Sequence, residues 1–170
     1  MNSNKTLSRY IVTAALIAAA YTALTYISAA LGIAYGNVQF RLSEALNVLA
    51  LFTPAAVPGL TVGCFLGNIA SPFGLVDVLI GTVATLLSAL NIRLIAKFAG
   101  KTTPFLTVLP PTVFNAVLIG LEIVWFLPSG VTFVGFLISA LEVAVGEIAV
   151  MSALGIPLYY IVKKRARILF

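Results

Sequence analysis

Long apolar runs separated by short polar breaks dominate the chain. Runs at about 10–31, 74–98, 105–127 and 131–162 can each cross a hydrocarbon core of about 30 Å, which takes roughly 20 helical residues. The stretch Arg41 to Ala70 differs. As one straight helix it would be about 45 Å long, yet Pro54, Pro58 and Gly59 interrupt its middle. Proline removes a backbone donor and disfavours helix just before it. The stretch therefore predicts two short helices, about 41–53 and 56–70, either two tilted spans or a re-entrant hairpin. The pattern as a whole predicts an all-α integral membrane protein, one domain over 1–170 with six helices.

Charge placement orients the bundle. Basic residues concentrate on cytoplasmic loops. With the N-terminus inside, an even number of crossings in 41–70 puts Lys5, Arg9, Arg93, Lys97, Lys101, Lys163, Lys164, Arg165 and Arg167 on the cytoplasmic side and Arg41 outside. A single crossing would move the last two clusters outside. Six helices with both termini cytoplasmic follow. The same placement explains the net charge of +5: the basic residues flank spans and face anionic lipid, which leaves no basic folded face for nucleic acid.

Composition then narrows the function classes. Of the 170 residues, 61% are hydrophobic and 9% charged, against about a quarter charged in soluble domains. A soluble enzyme and a disordered chain are excluded. Without histidine, zinc sites of the usual type and Ser-His or Cys-His pairs are absent. Cys64, alone among apolar neighbours, reads as an inert core thiol. The first apolar run follows Lys5 and Arg9 as a signal peptide would, but it exceeds an h-region of about 7–15 residues and reads as a retained span. Gly100-Lys101-Thr102 lacks the upstream glycine of a phosphate loop, since position 95 is Ile95. No inverted repeat relates the two halves. A binding subunit driven by partners therefore fits better than a lone carrier.

Two sets of positions carry candidate chemistry. Small residues recur every fourth position in the first span, as Ala14, Ala18 and Thr22 and as Ala15, Ala19 and Ala23. Such faces let helices approach closely in lipid, either inside this bundle or against another membrane protein. Gly59, Gly63 and Gly67 give the same signal in the third helix, where internal packing is expected. The second set is the acids. Glu44, Asp77, Glu122, Glu142 and Glu147 all lie in or beside spans and toward the outer side or the middle. A carboxylate in a membrane is costly unless paired, protonated or hydrated, so each is a functional candidate.

Arg41 and Glu44 are i,i+3 and can pair. Asn115 and Glu122 share nearly one helix face. Gln39 precedes the second helix, and Asn68 ends the third. Asp77 can be a helix N-terminal charge or a site residue. Glu142 and Glu147 are about 140° apart on their helix and do not face one cavity. Tyr35, Phe40, Trp125, Phe126 and Phe133 form an interfacial belt, with room for one or two to stack on a planar ligand. These residues together predict an outward-facing cavity lined by acids and amides, suited to a ligand rich in N–H donors or to a cation. No metal-ligand cluster is evident.

The block Tyr35-Gly36-Asn37-Val38-Gln39-Phe40-Arg41-Leu42-Ser43-Glu44-Ala45-Leu46 resembles the signature of the queuosine-precursor transporter (QueT) family. So do 52–59, Gly63-Cys64, Asn115 with Gly120-Leu121-Glu122, and Gly146-Glu147 with 154–158. Members are substrate-capture (S) components of energy-coupling factor (ECF) transporters. The resemblance implies a six-helix S-component bundle, no cofactor, and no enzymatic step in this chain. Its implied partners are a transmembrane coupling protein docked on Ala15, Ala19 and Ala23 and two cytoplasmic ATPases. The implied ligand is a 7-deazaguanine in its cyano or aminomethyl form, or queuine. A carboxylate, Glu122 or Glu147, would accept the guanine edge, with Asn115, Gln39 or Arg41 donating to the carbonyl and Glu44 or Asp77 taking a side-chain amine. An S component for a B vitamin, a stand-alone cation or small-molecule channel, and an intramembrane enzyme are the competing readings.

Overall fold

A computed structural model describes residues 3–36, 38–99, 104–128 and 130–169, with the side chains of 3–5 and 166–169 not described. Asn37 and Lys101 lie outside the described residues, as do the side chains of Lys5 and Arg167. The described residues form helices and connecting turns, with no strands. α1 spans Ser3–Ala30, α2 Ala56–Asn68, α3 Leu75–Phe98, α4 Leu109–Phe126, α5 Phe133–Val150 and α6 Ile156–Leu169. A 3-10 helix, Leu42–Leu51, lies between α1 and α2, and a π-helical turn, Met151–Gly155, joins α5 to α6.

Four apolar helical stretches are long enough to cross a membrane: Thr6–Ala30, Leu75–Phe98, Pro104–Phe126 and Phe133–Arg165. The 3-10 helix and α2 are apolar but short. At about 2.0 Å and 1.5 Å rise per residue, each arm is roughly 20 Å long, so neither spans the hydrocarbon alone. They form a hairpin, with the 3-10 helix descending beside α1 and α2 rising parallel to it. The bend at 52–55 stays within the bundle, where the Phe52 ring packs 5.5 Å from that of Tyr159. Arg93 donates to the Ala50 and Leu51 carbonyls at 3.1 and 3.4 Å. A cation thus meets carbonyls that the end of the 3-10 helix leaves unpaired.

Sequence dictates the helix ends. α1 stops at Gly32, whose φ of 72° lets its N–H reach the Ala29 carbonyl at 2.9 Å while Ile33 reaches that of Ser28 at 3.0 Å. This is a Schellman stop. α4 opens with Pro110 and Pro111 in its first turn, where a missing N–H costs nothing.

The two small-residue faces of α1 separate. A Cβ on Gly59 would lie 2.7 Å from the Ala14 carbonyl, one on Gly63 2.7 Å from Tyr21 Cβ, and one on Gly67 3.0 Å from Thr25. Thr22 Oγ1 donates to the Gly63 carbonyl at 3.1 Å. The glycine face of α2 therefore packs against Ala14, Ala18 and Thr22, as expected for internal packing. Ala15, Ala19 and Ala23, about 100° round the helix, are exposed. Gly63→Leu is expected to cost about 3 kcal/mol through overpacking, whereas Val62→Leu, on the exposed side, stays within about 0.5 kcal/mol. Melting curves of both purified variants check this, and equal melting would refute the close contact.

Candidate functional site

Residues 31–36 and 38–41 lie at one end of the bundle and are tied down on both sides. Phe40 N–H donates to the Ile33 carbonyl at 2.8 Å, which closes the loop around Arg41. Arg41 Nε donates to the Ala34 carbonyl at 3.2 Å, and Nη2 to both Asp77 carboxylate oxygens, each at 3.2 Å. Its guanidinium also lies 5.3 Å over the Tyr35 ring, and the Tyr35 hydroxyl donates to the Gly67 carbonyl at 3.1 Å. Burial resists the Arg41 charge, but the Asp77 carboxylate more than offsets it, so the guanidinium pKa lies above its ordinary value. On the far side, the Gln39 backbone presses against Gly146 of α5, where a Cβ would collide with the Gln39 carbonyl.

The expected Arg41–Glu44 pair is therefore replaced by Arg41–Asp77. Arg41 precedes the helix with extended backbone, φ −83° and ψ 100°, so the i,i+3 geometry does not apply to it. Asp77 is thus an ion-pair partner as well as a first-turn acid of α3. Asn68 ties the same corner together by donating to the Asp77 carbonyl at 3.1 Å.

A second polar group lies deeper. Glu44 accepts from the Tyr21 hydroxyl and, at 2.6 Å, from Asn47 Nδ2. In a 3-10 helix residues i and i+3 eclipse, which stacks Asn47 directly on Glu44. Asn115 of α4 donates to Glu147 Oε1 of α5 at 2.6 Å and also lies against Glu44. Asn115 therefore turns to Glu147 rather than along its own helix to Glu122. Tyr21 and Asn47 were not singled out by the sequence. Tyr21 reads as one more aromatic in an apolar span, and only Asn47, a buried amide three residues from an acid, carried a usable signal.

Several buried atoms here lack a hydrogen-bond partner among the described residues: both Glu122 carboxylate oxygens, Glu147 Oε2, Gln39 Nε2, Asn47 Oδ1 and Asn68 Oδ1. Glu122 is 2% exposed and Glu147 5%. Buried polar groups are normally satisfied, so six orphans among the candidate residues and their neighbours leave hydrogen-bonding capacity open in this region. Five are oxygen acceptors and one is an amide donor.

Not every candidate joins the cluster. Trp125 is 72% exposed near the end of α4 and takes no part in it. Phe40 is half-buried in the loop, and Glu142 is partly exposed on α5. Among the described residues, no group of three or more acids or cysteines is arranged to hold a metal ion.

The family model described as "QueT transporter" matches residues 11–164. The chain belongs to the QueT transporter family. It is also 40% identical over 89 residues to the "Queuosine precursor transporter QueT" of Lactococcus lactis subsp. cremoris (strain MG1363), an alignment covering 52% of each chain. The match thus spans about half the length of that relative. No solved structure matches the chain significantly. Its four long apolar stretches suit the membrane setting of a transporter family.

Proposed function

We propose that this chain is the substrate-capture subunit of an ECF-type ABC importer. It binds a queuosine precursor from outside the cell, and partner subunits drive uptake with ATP. It sits in the cell membrane with both termini cytoplasmic. One observation carries the reading: the buried acceptors without partners, on Glu122 and Glu147 above all. A 7-deazaguanine offers N1–H and an exocyclic NH₂ side by side, which one carboxylate accepts as a fork. Glu122, with both oxygens free, is the residue for that edge, and Gln39 Nε2 suits the ring carbonyl. Asn115, which holds Glu147, sits seven residues from Glu122 on α4, about 10 Å along the helix. A bicyclic ring carrying a short arm bridges that distance.

The exposed face Ala15, Ala19 and Ala23 is the docking face for the transmembrane coupling protein, which links the chain to two cytoplasmic ATPases. Small residues permit close helix approach there. The test combines direct binding of cyano and aminomethyl deazaguanines, queuine and B vitamins to the purified protein with uptake in cells that carry the coupling module. A deazaguanine is expected to bind, and Ala19→Trp to retain binding while losing uptake. Binding of a vitamin without any deazaguanine response overturns the substrate. Uptake unchanged in Ala19→Trp overturns the docking face, and ion conduction by the chain alone in liposomes makes it a channel.

A further inference from the structure

Among the described residues, four carboxylates, Glu44, Asp77, Glu122 and Glu147, are buried in the bundle, against one buried basic residue, Arg41. Arg41 is committed to Asp77, and among the described residues that is the ion pair formed. The deeper pair is left without a cation. Asn115 lies between Glu44 and Glu147, donating to Glu147 Oε1 at 2.6 Å and lying against Glu44. Hydrogen bonds from Tyr21 and Asn47 occupy both Glu44 oxygens, yet Glu147 Oε2 and Asn47 Oδ1 have no partner. Asn47 is fully buried and Glu147 95% so, given its 5% exposure.

Two neighbouring acids in a membrane interior are normally paired with opposite charge. The open ligand atoms at the pair are oxygens, from a carboxylate and an amide carbonyl, with the neutral Cys64 thiol beside Tyr21. Hard oxygen ligands suit alkali and alkaline-earth cations and ammonium groups. With both Glu44 oxygens already accepting hydrogen bonds, the open oxygens are Glu147 Oε2 and Asn47 Oδ1. They fall short of the roughly six that a calcium ion takes, which favours a monovalent cation or an ammonium group.

We propose that the Glu44–Glu147 pair, with Asn47 and Asn115, is a binding site for one monovalent cation. The charge is supplied either by a free alkali ion or by an ammonium arm on the captured ligand. The identity of such a ligand rests on the capture reading above, whereas the presence of a cation at the pair does not.

The experiment has two arms on the full-length purified protein. In the first, thermal unfolding is followed at constant ionic strength in sodium, potassium, methylammonium and choline chlorides. At least one small cation is expected to raise the unfolding temperature by several degrees over choline, and Glu147→Gln to abolish that rise. In the second, affinities are measured for two deazaguanines that differ in an amine or a nitrile on the same arm. The amine form is expected to bind about tenfold tighter or more, equivalent to about 1.4 kcal/mol, with that preference lost in Glu147→Gln.

A cation effect without an amine preference assigns the site to a free ion. An amine preference without a cation effect assigns it to the ligand arm. Neither effect, in a protein that still melts cooperatively, overturns the proposal. If no deazaguanine binds while small cations still stabilise, the capture reading fails and the cation site stands. If amine and nitrile bind equally and no cation stabilises, the reverse holds.

Discussion

Replacing Asp77 by alanine is expected to lower the unfolding temperature by roughly 10 °C. Asp77 is 1% exposed and its partner Arg41 5%. Removing one partner of a buried pair leaves an uncompensated charge and costs about 3–5 kcal/mol. For a chain of this size each kcal/mol is worth about 2–4 °C. The effect should also spread to the loop, because Arg41 organises residues 33–41 through the Ala34 carbonyl and the Tyr35 ring. Removing both charges together, as in Arg41→Met with Asp77→Leu, should restore much of the loss, since an apolar pair strands no charge. Melting of wild type, single and double variants in detergent checks this. If the single variant melts within a degree or two of wild type, the pair is not what anchors the loop.

Glu122→Gln and Glu147→Gln are expected to move binding and stability in opposite directions. A hydrogen bond to a charged acceptor is worth about 1.5–3 kcal/mol, so each substitution should weaken deazaguanine binding by about 10- to 100-fold. Among the described residues neither carboxylate has a basic partner, and Glu122 has no hydrogen-bond partner. Each therefore burdens the empty protein, and removing its charge should leave melting unchanged or raise it. Calorimetric titration and melting on the same preparations test both halves. Unchanged affinity in both variants would place the ligand elsewhere.

The sequence reading located helices well where apolar runs end on proline or glycine. Pro54 and Pro58 split the difficult stretch into two short helices, and the structure begins α2 at Ala56, between those prolines. The 3-10 geometry of Leu42–Leu51 was not legible, because hydrophobic spacing cannot show how tightly ten mostly buried residues are wound. That winding decided the polar contacts. It stacked Asn47 on Glu44, while Arg41, left outside the helix, turned to Asp77 thirty-six positions away. Side-chain partners depend on which helices lie next to one another, and spacing along one helix carries no such information. For the same reason the shared helix face of Asn115 and Glu122 does not show that Asn115 bonds to Glu147 across the α4–α5 contact.

The π turn Met151–Gly155 has a geometric effect on the longest apolar stretch. Glu147, Met151, Gly155 and Tyr159 are all buried although each lies four positions after the last. In an unbroken α-helix three such steps drift about 120° around the axis, which would turn Tyr159 away from the side that holds Glu147. The wider turn absorbs about one extra residue, or about 100° of that drift. The turn thus works as a phase correction, letting one rod present an acid to the polar cluster in its first half and an aromatic to the apolar core in its second.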